Sequence, residues 1–332
     1  MARPMKPSPI RICQRSMKRM SGCQGIRSRG ARKPISSQVW KAGLILLIIG
    51  LTGLWHPPVW GIQIVDDLGK PVSLSSPAMR IISLYGAYNE ILAGMGLEDR
   101  IVGRTKADKV PPSIISKPSI GTHMRPNIEI ILGLKPDLTI QSAGRKEALA
   151  TVQQLEQEGV PVAVFDPSSF TGLFSVIERL GILTGASDAA EQLIGRLQTR
   201  LERVEFRLQG IAHHPSVFFE VRYPNLLAAG RNSIVDDIIR HAGGVNCVKK
   251  DKKLMRIGME ALIECNPEAY IVQRGPMNQD PSDPSSRPNF QVLEAVKKGR
   301  ILVVDEQIYS RPGPRSVDAV EQLAAFLHPD RF

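Results

Sequence analysis

The sequence predicts two Rossmann-like α/β lobes joined by one long α-helix, and three observations carry that prediction. First, one stretch occurs twice. Met259-Glu260-Ala261-Leu262-Ile263, Asn266-Pro267-Glu268 and Ile271 to Gly275 repeat Ile128-Glu129-Ile130-Ile131-Leu132, Lys135-Pro136-Asp137 and Ile140 to Gly144 at a constant offset of 131 residues. Each copy reads as a short helix, a proline stop, a buried strand and a glycine where the strand opens into a loop. Second, strand and helix signals alternate on both sides of the chain's middle. Third, that middle reads as one uninterrupted amphipathic helix.

In the first lobe, strands are expected at 80–84, 100–103, 137–141 and 160–165, with helices at 89–95, 128–134 and 147–158. Strands that are apolar throughout and separated by helices pair in parallel through right-handed crossovers. The second lobe is expected to behave alike, with strands at 217–221 and 300–304, a helix at 234–241 ending at Gly243-Gly244, the second copy of the repeat, and a last helix at 316–327. Between the lobes, residues 188–209 contain no proline and only Gly195 among glycines. Their apolar residues Ala190, Leu193, Ile194, Leu197, Leu201, Val204 and Leu208 form one stripe on a helix about 33 Å long. The stripe covers too few heptads for a coiled-coil dimer, so a monomer is expected. The resulting division is 1–61, 62–186, 187–211 and 212–332.

Charge separates the first of these segments from the rest. Of 43 Lys and Arg, 11 precede Gly61 with no Asp or Glu among them, which leaves 32 basic against 32 acidic residues afterwards. The formal charge of +11 therefore belongs to the leader, and a neutral remainder without a basic stripe excludes nucleic acid as a partner. Within the leader, Ala42 to Trp55 is an apolar run shorter than the roughly 20 residues that span a bilayer. It reads as the core of a signal peptide cleaved near Ile62, an uncleaved anchor being the alternative, with translation starting at Met1, Met17 or Met20. A periplasmic protein is expected, and no cysteine follows the core at a lipidation position. Cys247 and Cys265 are the cysteines of the exported part. They read more simply as two buried thiols than as a disulfide.

Ligands of α/β lobes sit outside the carboxyl ends of strands. On that rule the candidate ligand residues are Tyr85, Tyr88, His123, Arg125, Gln141 and Arg145 in the first lobe, and Arg222, Tyr223, Arg231, Arg274, Tyr309 and Arg311 in the second. Guanidinium groups and phenol rings suit a flat ligand with negative charge. His123 and Tyr309, with Met124 and Tyr88, are side chains able to occupy an open position on iron or cobalt.

The order of these segments resembles a known family, the periplasmic ligand-binding proteins of ABC importers for ferric siderophores, haem and cobalamin, in the helical-backbone class III. The residues that carry it are Ile64 to Gly69, Arg80 to Leu84 followed by Asn89 to Leu92, Pro126-Asn127 through Leu138, Gly230 to Ser233, Ala242 to Asn246, and Ser310 to Arg315. The resemblance implies a bilobal binder without a catalytic cofactor, which captures an iron chelate or a corrinoid and delivers it to a permease coupled to an ATPase. It also implies one exposed carboxylate on each lobe for docking on that permease. Glu147 is the candidate on the first lobe, and Asp280 or Asp283 on the second, within a Pro/Ser/Asp-rich stretch expected to be a mobile loop. An oxyanion such as molybdate is an alternative cargo, and a chelatase-like enzyme acting on a metal tetrapyrrole an alternative function. Against catalysis, the chain after Ile62 has no phosphate loop, nucleophile elbow or HExxH motif.

Overall fold

The computed structural model describes residues 61–144 and 146–332, with the side chains of Lys146 and Glu147 excepted. The leader and signal-peptide reading, Gly61 aside, lies outside these residues. Among the described residues no helix is long and apolar enough to cross a membrane.

A hairpin of β1 (Ile62–Val65) and β2 (Pro71–Leu74) opens the first lobe. Its turn is tied down by buried Asp66, whose carboxylate accepts from Leu68 N, Lys70 N and Val164 N. There follow β3 (Ile81–Ser83), α1 (Gly86–Gly94), β4 (Ile101–Gly103), the small hairpin β5 (Gly121–Thr122) and β6 (Arg125–Pro126), α2 (Ile128–Gly133), β7 (Leu138–Ser142), α3 (Lys146–Gln157), β8 (Val162–Phe165) and α4 (Phe170–Thr184). The sheet runs β4-β3-β7-β8 with every pair parallel. The chain reverses direction across the sheet between β3 and β7, and a ligand crevice opens at such a switch point.

Next comes α5 (Ser187–Leu208), which buries Ala190, Leu193, Leu197, Leu201, Val204 and Leu208. Each buried Leu or Val contributes roughly 1.5–3 kcal/mol relative to an exposed one. The helix packs on α4 so closely that a Cβ at Gly181 would lie 2.7 Å from Ala190 Cβ. Arg196 donates to Gly94 O in the first lobe, and Arg200 donates to Asp318 and Glu321 in the second. One stiff rod is thus attached to both lobes.

The second lobe contains β9 (Ser216–Arg222), β10 (Leu227–Ala229), α6 (Ile234–His241), β11 (Val245–Asn246), β12 (Leu254–Arg256), α7 (Met259–Cys265), β13 (Ala269–Arg274), α8 (Glu294–Lys297), β14 (Ile301–Asp305), α9 (Glu306–Tyr309) and α10 (Ser316–Leu327). Its main path is β12-β10-β9-β13-β14. In contrast to the expected all-parallel sheet, β10 is antiparallel to both β9 and β12. The reason is local: only four residues separate β9 from β10, too few for a crossover, so the chain must turn back as a hairpin.

The duplicated stretch is one physical device used twice. α2 leads to β7 and α7 to β13, and the residues before the two prolines both adopt left-handed backbone, Lys135 at φ 48° and Asn266 at φ 39°. This conformation ends a helix, and proline prevents its resumption. The acid after each proline then anchors the first strand of its lobe's main sheet. Asp137 accepts from Met79 N and Arg80 N ahead of β3, and Glu268 accepts from Ser216 N at the start of β9.

One further expectation is corrected. Cys247 and Cys265 form a disulfide with Cα atoms 5.8 Å apart, because the turn after β11 is brought against the end of α7. The Pro/Ser/Asp-rich stretch is tethered from inside by Arg287. That guanidinium makes a bidentate pair with Glu220 on β9, stacks 4.0 Å over the Tyr223 ring, and exposes only 2% of its surface. Tyr270 Oη donates to the same carboxylate at 2.7 Å. The signal available in the sequence was Arg287 itself, an arginine able to reach a central strand.

Candidate functional site

A cavity of about 630 Å³ lies between the lobes, lined by residues from both. From the first lobe come Tyr85 and Tyr88 after β3, His123 and Met124 in the β5–β6 turn, Gln141 and Ser142 at the end of β7, and Asp166 after β8. From the second come Ser233 and Ile234 at the start of α6, Lys253 and Leu254 at β12, Met277 after β13, and Glu306, Ser310 and Arg311 after β14.

The loops reach the cavity because glycine permits two close approaches. A Cβ at Gly275 would lie 2.4 Å from Glu306 Cβ, and one at Gly230 would lie 2.3 Å from Lys252 O. The first brings the Met277 loop onto α9, where Met277 N donates to Glu306 Oε2 at 2.8 Å. The second lets the Lys249 to Lys253 loop fold over β10 and carry Lys253 to the cavity, where it pairs with Asp166 of the first lobe.

The aromatic wall is uncharged. Burial pushes the Tyr85 phenol up to about 12 even though the Arg311 guanidinium opposes it, and burial raises Tyr88 well above the ordinary range. Tyr88 Oη donates to Phe165 O at 2.8 Å. Tyr85 packs against Tyr88 and edge-on to His123, with ring centroids 5.7 and 6.2 Å apart. Arg311 stands 5.7 Å over the Tyr85 ring, close to buried Asp108, whose carboxyl is raised by burial. The two tyrosine rings present flat faces to the cavity. Among the described residues no three His, Cys, Asp or Glu cluster to hold a metal.

Of the sequence-derived candidates, Tyr85, Tyr88, His123, Gln141 and Arg311 converge on this cavity. The rest do not. Tyr309 is fully buried in the second lobe, its ring stacked on Phe219 at 5.9 Å and its hydroxyl bonded to Gln322, because it lies on α9 and faces the core. Tyr223 covers Arg287 and lines a separate cavity of about 490 Å³ with Pro224 and Phe290. Arg222 is half-buried away from the lining, while Arg125, Arg231 and Arg274 are exposed. Arginine at a strand end marks the right end of the sheet without choosing the side. Arg145 lies outside the described residues, as does the side chain of Glu147 on α3, and Asp280 sits exposed in the loop that Arg287 pins. Sequence reasoning missed Lys253, hidden in a basic run that reads as a solvated turn. It also missed Glu306, although its place two residues past a predicted strand end was a usable signal.

The chain is 27% identical over 311 residues to the ABC transporter substrate-binding lipoprotein YvrC of Bacillus subtilis, itself uncharacterized, covering 89% of this chain and 98% of that protein. It is 24% identical over 293 residues to the vitamin B12-binding protein of Vibrio cholerae, covering 86% and 98%. A periplasmic haem-binding protein from Pseudomonas aeruginosa superposes with a TM-score of 0.66 at 26% identity, covering 76% of this chain and 93% of that one. Residues 81–308 match the family model described as periplasmic binding protein, and the chain belongs to that family.

Proposed function

We propose that this chain is the substrate-binding component of an ABC importer, which captures an iron complex (siderophore or haem) or cobalamin between its lobes and delivers it to a membrane permease and its ATPase. The observation that carries this reading is the cavity itself. At about 630 Å³ it falls within the range of small-molecule sites, and aromatic, methionine and a few charged side chains from both lobes line it. The vitamin B12-binding and haem-binding relatives support the choice of cargo, and the substrate-binding lipoprotein supports the partnership with a transporter. The family and the transport-associated relatives favour a binder over a chelatase-like enzyme. The basic leader with its apolar core supports export to the periplasm.

Tyr85, Tyr88, Gln141 and Arg311 are the proposed ligand contacts, with His123 reaching the metal of the chelate and Glu147 and Asp280 docking on the permease. Native mass spectrometry and absorbance of the protein purified from its own host test the reading. A coloured metal chelate is expected to co-purify and to be diminished by His123→Ala. Recovery of metal insertion into a tetrapyrrole, or no bound small molecule at all, would replace it.

A further inference from the structure

Arg311 belongs to the second lobe, yet its guanidinium meets a carboxylate of the first. Asp108 lies in the loop between β4 and β5, 4% exposed and outside the cavity lining. Its Oδ2 accepts from Thr105 N at 3.0 Å and from Asn89 Nδ2 on α1 at 3.2 Å, which holds the side chain in one place. Its Oδ1 turns to Gly86, the first residue of α1. A Cβ built there would lie 2.4 Å from Asp108 Oδ1 and 3.5 Å from Arg311 Nη1, so the two charged groups share the space left by one missing side chain.

The seam around them is closely built. A Cβ at Gly313 would lie 3.4 Å from that of Ala87, and Arg315 pairs with Glu90 through both carboxylate oxygens. The segment from Arg311 to Arg315 therefore runs along the first turn of α1. Burial raises the Asp108 carboxyl, while bonds from Thr105 and the charge of Arg311 work the other way. Among the described residues no direct ion pair joins Asp108 to Arg311. Their attraction acts at longer range than a bonded pair, and it bears on where the guanidinium points.

We infer that Asp108 is the positioning residue for Arg311: fixed by Thr105 and Asn89 on the first lobe, its carboxylate reaches past Gly86 and orients the guanidinium that the second lobe presents to the cavity. This rests on the reading of Arg311 as a ligand contact, and adds to it a residue that the ligand itself does not touch. It favours no class of ligand.

Phenylglyoxal labelling of the full chain, read residue by residue by mass spectrometry, tests the inference without a ligand. The reagent attacks the neutral guanidine, a form that a nearby carboxylate disfavours. Asp108→Asn keeps an oxygen for Thr105 N and Asn89 Nδ2 and removes only the charge. It should speed labelling of Arg311 about fivefold or more, while exposed Arg274 keeps its rate. If Asp108→Asn does not fold, Asp108→Ser decides by the same criterion. An unchanged rate at Arg311 overturns the inference. Equilibrium dialysis against haemin, cyanocobalamin and a ferric trihydroxamate extends the test to binding. For whichever probe binds, Asp108→Asn should shift the affinity about threefold or more, but less than about twofold in an Arg311→Gln background. Equal shifts in the two backgrounds mean that Asp108 acts on the fold and not through Arg311, and overturn the inference while the importer reading stands. Failure of all three probes to bind counts against the proposed cargo, and the labelling rate then decides the inference alone.

Discussion

Lys253 of the second lobe pairs with Asp166 of the first, across the cavity that both residues line. The two side chains are 41% and 33% exposed, so solvent screens their attraction. A double-mutant cycle of Asp166→Asn and Lys253→Met, read by urea unfolding, should give a coupling below about 1 kcal/mol that shrinks with added salt. A coupling several times larger would mean the pair is a buried clamp.

The pair formed by Glu220 and Arg287 is its opposite, at 0% and 2% exposure. Arg287→Ala leaves a carboxylate buried in the sheet without its partner, and should cost about 3–5 kcal/mol in urea unfolding. Replacing both at once, Glu220→Leu with Arg287→Met, should cost far less. Equal losses in the single and double variants would contradict the assignment.

Tyr309 and Arg311 lie two residues apart and should separate cleanly on mutation. Tyr309→Phe removes a 3.1 Å bond to Gln322 in the core, so it should lower stability by about 0.5–1.5 kcal/mol and leave ligand affinity alone. Arg311→Ala should do the reverse, weakening binding with little loss of stability. Dialysis and thermal melting of the two variants check this crossover.

The Cys247 to Cys265 bridge closes a segment of sequence separation 18 that includes the Lys249 to Lys253 loop. Restricting a loop of that size in the unfolded chain is worth about 3 kcal/mol. A reducing agent, or the double change to serine, should lower the melting temperature accordingly. An unchanged melt after confirmed reduction would show that the bridge adds nothing.

Burial lowers the ring pKa of both His241 and His328 below the ordinary histidine value. His241 faces Asp237, Arg240 and the edge of Phe170, and His328 lies against Gly243 O and near His214. In the unfolded chain these rings take up protons near pH 6.5, while the folded protein resists doing so until lower pH. Stability should therefore fall as pH drops through the window below about 6.5, and level off once the folded rings also charge. His241→Asn or His328→Gln should flatten that fall in melts taken between about pH 7.5 and 5.5.

Much of this architecture was legible because it depends on local pattern. The predicted helices at 234–241 and 316–327 coincide with α6 and α10, since each has a clean apolar face and an identifiable stop. α4 was not predicted, although Phe170 to Thr184 exposes Thr171, Ser175, Glu178 and Ile182 along one face and buries Leu173, Val176, Ile177 and Leu180 on the other. In the site, Tyr85 and Gln141 followed from strand ends alone. Lys253 and Glu306 depend on how Gly230 and Gly275 let two backbones meet, and that spacing is a tertiary fact.

α5 is fastened to both lobes, and Glu90 and Arg315 join them again through a bidentate pair, so the walls of the cavity are braced at two places that need nothing lying between them. The protein acts as a gauge. A molecule of the wrong girth is refused at first contact, and one that fits gives up little energy to reshaping its host. On the proposed function, release requires these two braced walls to part.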